Sequence, residues 1–200
     1  MARRLRIQYP NAIYHVMARG NGRQDIVADD GDRGRLLVCL ERAVNRSGWV
    51  LYAFVVLTNH LHLVLKTPRP NLAKGMQLFL SSYANGWARR HQHSGHLFQG
   101  RYRTELVEDE TYPWVLTRYV HLNPVRAGLA AKPDAWRWSS CPGYFRRRDL
   151  VPILGLSRPE SVPNLSARFA TLLATDTHAK NELLALEVLL GLRGLNSKSV

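Results

Sequence analysis

Apolar and polar positions fall into blocks of distinct period along the first 130 or so residues. Ala12 to Arg19 (AIYHVMAR) has strand-forming content, and the GNGRQD that follows is a loop by its glycines and polar residues. From about Asp32 to Ser47, Leu36, Leu37, Leu40 and Val44 recur at helical spacing, with Gly48 placed to end the helix. Trp49 to Leu57 is an unbroken β-branched and aromatic run, Thr58-Asn59 supplies a two-residue turn, and His60 to Lys66 is a second short strand. Together they predict an antiparallel hairpin. Pro68 and Pro70 break the pattern and Asn71 is placed as an N-cap. Leu72, Met76, Phe79, Leu80, Tyr83 and Trp87 then mark an amphipathic helix to about Arg90. A glycine-punctuated basic loop leads into a strand near Arg103 to Val107. Asp109 to Asn123 reads as a further helix, with acids at its start and Pro113 tolerated in its first turn. The order β, α, β, β, α, β, α predicts an α+β fold, a central antiparallel sheet with helices packed against it, and not a doubly wound parallel sheet. After Gly128 the composition turns rich in Trp, Pro and Arg, and residues 150–200 read as a partly helical tail without an assignable task. The expected organisation is a domain over 1–149 and a C-terminal tail over 150–200.

Charge adds a partner to this outline. The 200 residues carry 28 Lys and Arg against 15 Asp and Glu, a formal net charge of +13. Residues 1–150 hold +12 of it and 151–200 only +1, and 23 of the 28 basic residues are Arg. Such a field concentrates polyanions, and Arg suits planar, bidentate phosphate contacts. Cys39 and Cys141 are too few and too far apart for a zinc set or a disulfide framework, which predicts a reducing compartment, the cytoplasm. The basic start has no apolar run long enough for a signal peptide. The apolar stretch Leu183 to Leu192 is broken by Glu187 and is too short to span a bilayer, so no membrane partner is expected.

Candidate chemistry sits on the second hairpin strand. In HLHLVLK a period of two puts His60, His62 and Val64 on one face and Leu61, Leu63 and Leu65 on the other. The two histidine Cα atoms then lie ~6.5 Å apart, within reach of one divalent ion. Taken alone, His-x-His is weak evidence for a metal and more often marks two histidines on a half-exposed strand face. On the third helix Tyr119 and Asn123 stand at i and i+4 and share a face, aiming a phenol and an amide oxygen at one point; the amide oxygen is a hard donor suited to Mg2+ or Mn2+. Tyr83 lies amid apolar helix positions and reads as core. Tyr102 and Tyr112 read as packing or base-stacking residues. His91, His93 and His96 straddle a helix end without a fourth ligand, His121 points away from Tyr119, and His15 is ambiguous.

A strand bearing His-Leu-His and a helix bearing RYVHLNPVRAGL, with YHVMARGNGRQDIV, VVLTNHLHLVLKTP, SGHLFQGRYR and WRWSS around them, resemble the single-tyrosine HUH transposases of small, IS200-like insertion sequences. The likeness is closest to the bacterial REP-associated tyrosine transposases and covers residues 9 to about 145. It implies a ferredoxin-like or RRM-like sandwich, commonly a homodimer, with Tyr119 as nucleophile, His60 and His62 as metal ligands and Asn123 as the third. Related transposases often carry Gln at that third position, and Asn is shorter by a methylene. The chemistry implied is cleavage and rejoining of hairpin-bearing single-stranded DNA through a 5′-phosphotyrosine. A free phenol, with a pKa of ~10, needs activation for this role.

Arg19, Arg23, Arg89, Arg90, Arg101, Arg103, Arg118 and Arg126, with Arg137 and Arg146 to Arg148, form the expected phosphate track, and Tyr102, Trp136 and Trp138 are available to stack on unpaired bases. The rivals are a non-catalytic, domesticated protein that grips structured nucleic acid, a basic RNA-binding protein, and an HUH enzyme of replication or mobilisation. The short chain argues against the last.

Overall fold

The computed structural model describes residues 8–107 and 112–142, with the side chains of 112–114 left aside; the tail over 150–200, the acidic start of the third helix and Arg146 to Arg148 lie outside the described residues. In chain order the elements are β1 (Ala12–Arg19), α1 (Asp30–Ser47), β2 (Val50–Val56), β3 (His60–Thr67), α2 (Leu72–His91), β4 (Arg103–Val107) and α3 (Tyr112–Arg126). The strands form one antiparallel sheet in the order β2-β3-β1-β4. This is the α+β arrangement that the pattern predicts, with helices on both faces of the sheet.

Alternation along β3 decides which helix covers which face. Leu61, Leu63 and Leu65 bury against α1 and α2, with Leu36, Leu40, Met76 and Phe79. On the other face Val64 packs with Met17 of β1 and with Leu116, Tyr119 and Val120 of α3. The unbroken apolar run in β2 follows from burial on both sides. A register shift between Leu51 and Ala53 lets Leu51 and Phe54 join the same core.

Capping residues join the two helices of the first face. Asp29 caps α1 by accepting from the Asp32 N–H at 2.9 Å, and Gly48 closes it in the left-handed conformation at φ 66°. At the far end of α2, Arg90 bonds Asp29 and the buried Asp32, and His91 Nε2 meets Asp32 Oδ2 at 2.8 Å. Asn71 stands at the N-cap position of α2 but makes no side-chain cap. Its Oδ1 instead accepts from Trp49 Nε1 at 2.8 Å and its Nδ2 donates to the Ser47 carbonyl at 2.9 Å. Trp49 lies so close to α2 that a Cβ on Gly75 would fall 2.1 Å from its ring.

Two features depart from the sequence pattern. The third helix does not stop at Asn123 but runs through Pro124 to Arg126. Proline has no N–H for the Val120 carbonyl one turn back; Asn123 Nδ2 supplies a donor there at 3.4 Å and bonds the Tyr119 carbonyl at 2.8 Å. Residues 136–140 pair along β2: Val56 N–H donates to the Trp138 carbonyl at 2.9 Å and Ser140 N–H to Phe54 at 3.0 Å. Trp136 Nε1 also bonds the Val56 carbonyl at 3.0 Å. A sheet edge is thereby covered, and the WRWSS residues serve the fold.

Candidate active site

His15, His60 and His62 from the sheet meet Tyr119 from α3. Their grouping follows from strand register: His62 lies opposite Met17, His60 opposite Arg19, and His15 one step diagonally from His62. The His60 and His62 rings stand 5.1 Å apart between centroids, nearly perpendicular. Tyr119 sets its ring edge-to-face against His62 at 5.8 Å and His15 at 6.0 Å. The guanidinium of Arg126 lies 5.5 Å from the Tyr119 ring centroid.

Hydrogen bonds leave particular nitrogens for a ligand. His60 Nδ1 is 2.7 Å from Asn59 Oδ1, so it donates there and Nε2 carries the lone pair. His62 Nδ1 is 3.0 Å from His15 Nε2. His62 Nε2 is buried with no partner among the described residues. Two imidazole nitrogens, one orphaned in a dry site, suit a divalent metal ion. Asn123 is buried at 4% exposure and spends its amide nitrogen on its own helix, so only Oδ1 remains for a ligand. Among the described residues no group of three or more His, Cys, Asp or Glu side chains is arranged to hold a metal.

Burial lowers the proton affinity of every histidine here: His15 and His60 fall from 6.5 to about 4, with Arg19 adding to the effect on His60. His62 is lowered well below 6.5 by burial, then by His60 and His15, and His121, buried on Ser140 Oγ at 2.7 Å, falls to about 3. All are neutral at pH 7, the state a ligand requires. The unfolded chain therefore binds more protons than the folded one between about pH 6.5 and pH 4, so stability is full above that window and falls as pH drops through it. Urea unfolding at pH 7.5 and pH 5.0 is expected to show a loss of roughly 2 kcal/mol or more at the lower pH, each histidine giving up to ~1.4 kcal/mol per pH unit. Equal stabilities would contradict the burial argument.

The arginines divide. Arg23 and Arg103 gather about Arg19, which lies opposite His60: burial lowers the proton affinity of Arg19, and the charges of Arg23 and Arg103 lower it further. Arg19 Nε is buried with no partner among the described residues. Arg126 joins this side through Tyr119. Arg89 and Arg101 are exposed, Arg118 is buried at 5%, and Arg90 is engaged with Asp29 and Asp32. Tyr102, 8% exposed, packs into the α1/α2 core, and Arg33 and Arg137 cover Trp138 at 5.9 and 4.6 Å. Tyr102 is thus a core residue, whereas Trp136 and Trp138 are half-buried. Tyr83 is core, its hydroxyl donating to the Ile26 carbonyl at 2.5 Å.

The model of the IS200-like transposase family matches residues 8–123, more than half of the chain, and takes in His60, His62, Tyr119 and Asn123. The chain belongs to the IS200-like transposase family. It is thus a transposase, a DNA-cleaving enzyme. A REP-associated tyrosine transposase solved with a REP hairpin bound has the same fold, at TM-score 0.59 and 15% identity, covering 90% of this chain and 96% of that one. A protein described as a transposase of Deinococcus radiodurans matches at TM-score 0.42 and 20% identity over 57% of this chain and 93% of that one. The tRNA(His) guanylyltransferase of Saccharomyces cerevisiae matches at TM-score 0.43 and 13% identity over 88% and 77%. These last two are too distant to inform function. No curated protein sequence matches the chain significantly. No helix among the described residues is long and apolar enough to cross a membrane.

His15 and Asn59 are the two participants the sequence does not single out. The parity of β1 puts His15 on one face with Met17, but only the pairing of β1 with β3 brings it to His62.

Proposed function

We propose that this transposase cleaves and rejoins single-stranded DNA beside a hairpin, with Tyr119 as nucleophile and a divalent ion, Mg2+ or Mn2+, held by His60 and His62 and by Asn123 Oδ1. The observation that carries the reading is the Tyr119 ring set 5.8 Å from His62, whose buried Nε2 has no partner among the described residues. A divalent ion bound there would supply Lewis-acid stabilisation of charge on the phosphate oxygens. The chain's own groups supply the rest. Arg19, Arg23 and Arg103 hold the phosphate, with Arg19 Nε offering a desolvated donor. Tyr119 Oη attacks phosphorus as it gives up its proton. The bond to the 3′ oxygen breaks, that oxygen leaves with a proton as a 3′-OH, and the downstream strand stays on Tyr119 through its 5′ phosphate. One phosphodiester is exchanged for another, so attack by a second 3′-OH rejoins DNA without a nucleotide cofactor.

Hairpin DNA as partner is supported by the shared fold and family and by the relative solved with a REP hairpin. A homodimer, in the cytoplasm, belongs to the same reading. Among the described residues the outer edge of β4 pairs with no strand and exposes Leu106 at 40%, which suits contact between copies. The rival, a non-catalytic hairpin-binding protein, draws its support from Tyr119 being only 3% exposed.

Incubating the full chain with a 3′-labelled hairpin oligonucleotide separates the two. A covalent protein–DNA band that appears with Mn2+ or Mg2+ and vanishes with chelator is expected. Tight binding with no band at any metal concentration would favour the non-catalytic protein.

A further inference from the structure

His15 is a buried imidazole with no task in the chemistry above, yet it makes the one hydrogen bond that decides what His62 can do. Its Nε2 lies 3.0 Å from His62 Nδ1, and both residues are nearly wholly buried, at 3% and 1% exposure. The two rings lie 8° from parallel with centroids 5.2 Å apart, so with nitrogens this close the bond lies near the plane of both rings. Tyr119 stands at 83° and 85° to the pair, a wall against rotation of either ring.

Two neutral imidazoles joined this way share one proton, and it has two possible owners. With the proton on His15 Nε2, His62 accepts at Nδ1 and carries its own proton on Nε2, where it would be a buried donor with no partner and unable to ligate. With the proton on His62 Nδ1, His15 accepts and His62 Nε2 presents a lone pair at the atom that lacks a partner among the described residues. Ligating histidines ordinarily donate their other N–H to an acceptor that fixes ring and tautomer. Among the described residues no carboxylate takes that place; His62 Nδ1 faces His15 Nε2 instead.

We propose that His15 is a positioning residue that holds His62 in the one tautomer able to bind a metal ion through Nε2. The inference rests on the metal-site reading above, and His15 itself touches neither ion nor DNA.

The test uses the full chain labelled with 15N-histidine, studied metal-free by long-range 1H–15N correlation and then by Mn2+ titration. The wild type is expected to show His62 protonated on Nδ1 and bare on Nε2. His15→Leu is expected to lose that preference and to weaken Mn2+ binding by about 10- to 100-fold. His15→Gln, whose side-chain carbonyl can accept the same N–H, is expected to restore most of both. If the leucine variant does not fold, His15→Asn, folded but too short to reach, takes its place. A wild-type His62 protonated on Nε2 overturns the proposal whatever the titration shows. So does a leucine variant with unchanged tautomer, or with an unchanged Mn2+ affinity that His60→Ala does reduce. Should His60→Ala leave Mn2+ binding untouched, the metal reading fails by itself, and the tautomer spectra of wild type and variants still decide the role of His15.

Discussion

Replacing Tyr119 by Phe is expected to abolish the covalent DNA adduct, lowering strand cleavage by roughly 10⁴-fold or more, while hairpin binding stays within about twofold of wild type. Phenylalanine keeps the ring that packs against His62, His15, Leu116 and Val120, so the site retains its shape. Only Oη is lost, the atom proposed to bond to phosphorus. Binding is expected to persist because Arg19, Arg23 and Arg103, the cations proposed to hold the phosphate, are unchanged. A denaturing gel with 3′-labelled hairpin reads the adduct and a filter-binding titration reads affinity. An adduct that survives the substitution assigns the chemistry to a different residue.

The second large effect concerns stability. Asp32→Ala is expected to cost about 3 kcal/mol in urea unfolding, because it strips a buried carboxylate from three donors at once. Asp32 is 1% exposed and accepts from the Ala28 N–H at 2.9 Å, from Arg90 and from His91. Burial alone would raise its proton affinity; the Ala28 N–H and the bonds from Arg90 and His91 outweigh it and hold the carboxyl below its usual value. Asp32→Asn keeps an acceptor for Ala28 and is expected to lose about half as much. Because α1 and α2 cover the face of the sheet away from Tyr119, adduct formation per folded molecule should not change. A loss under ~1 kcal/mol would mean that Asp29 alone anchors Arg90.

The elements were legible in the sequence wherever one short-range rule governed them. Alternation in HLHLVLK separates the imidazoles from the leucines, and Gly48 ends α1 because a left-handed residue is needed there. What was not legible depends on partners distant along the chain. Asn71 looks like a cap until Trp49 and Ser47 claim its amide. Arg90 looks like one more phosphate contact until α2 delivers it to Asp29 and Asp32, and no short-range rule announces that residues 136–140 pair along β2. The site shows the same division. Tyr119 and Asn123 share a helix face by simple spacing, whereas His15 meets His62 only through the register of two strands 47 residues apart.

Asn123 Nδ2, which reaches the Val120 carbonyl that Pro124 leaves without its N–H, also bonds the Tyr119 carbonyl and so ties two parts of the site into one body. Tyr119 and the Asn123 amide oxygen sit together on a single helical turn, while both imidazoles of the His-x-His pair belong to a strand with neighbours on either side. In the proposed site the parts therefore divide along one seam, helix from sheet, and a displacement of α3 that admits DNA to the buried phenol would move Tyr119 and Asn123 together.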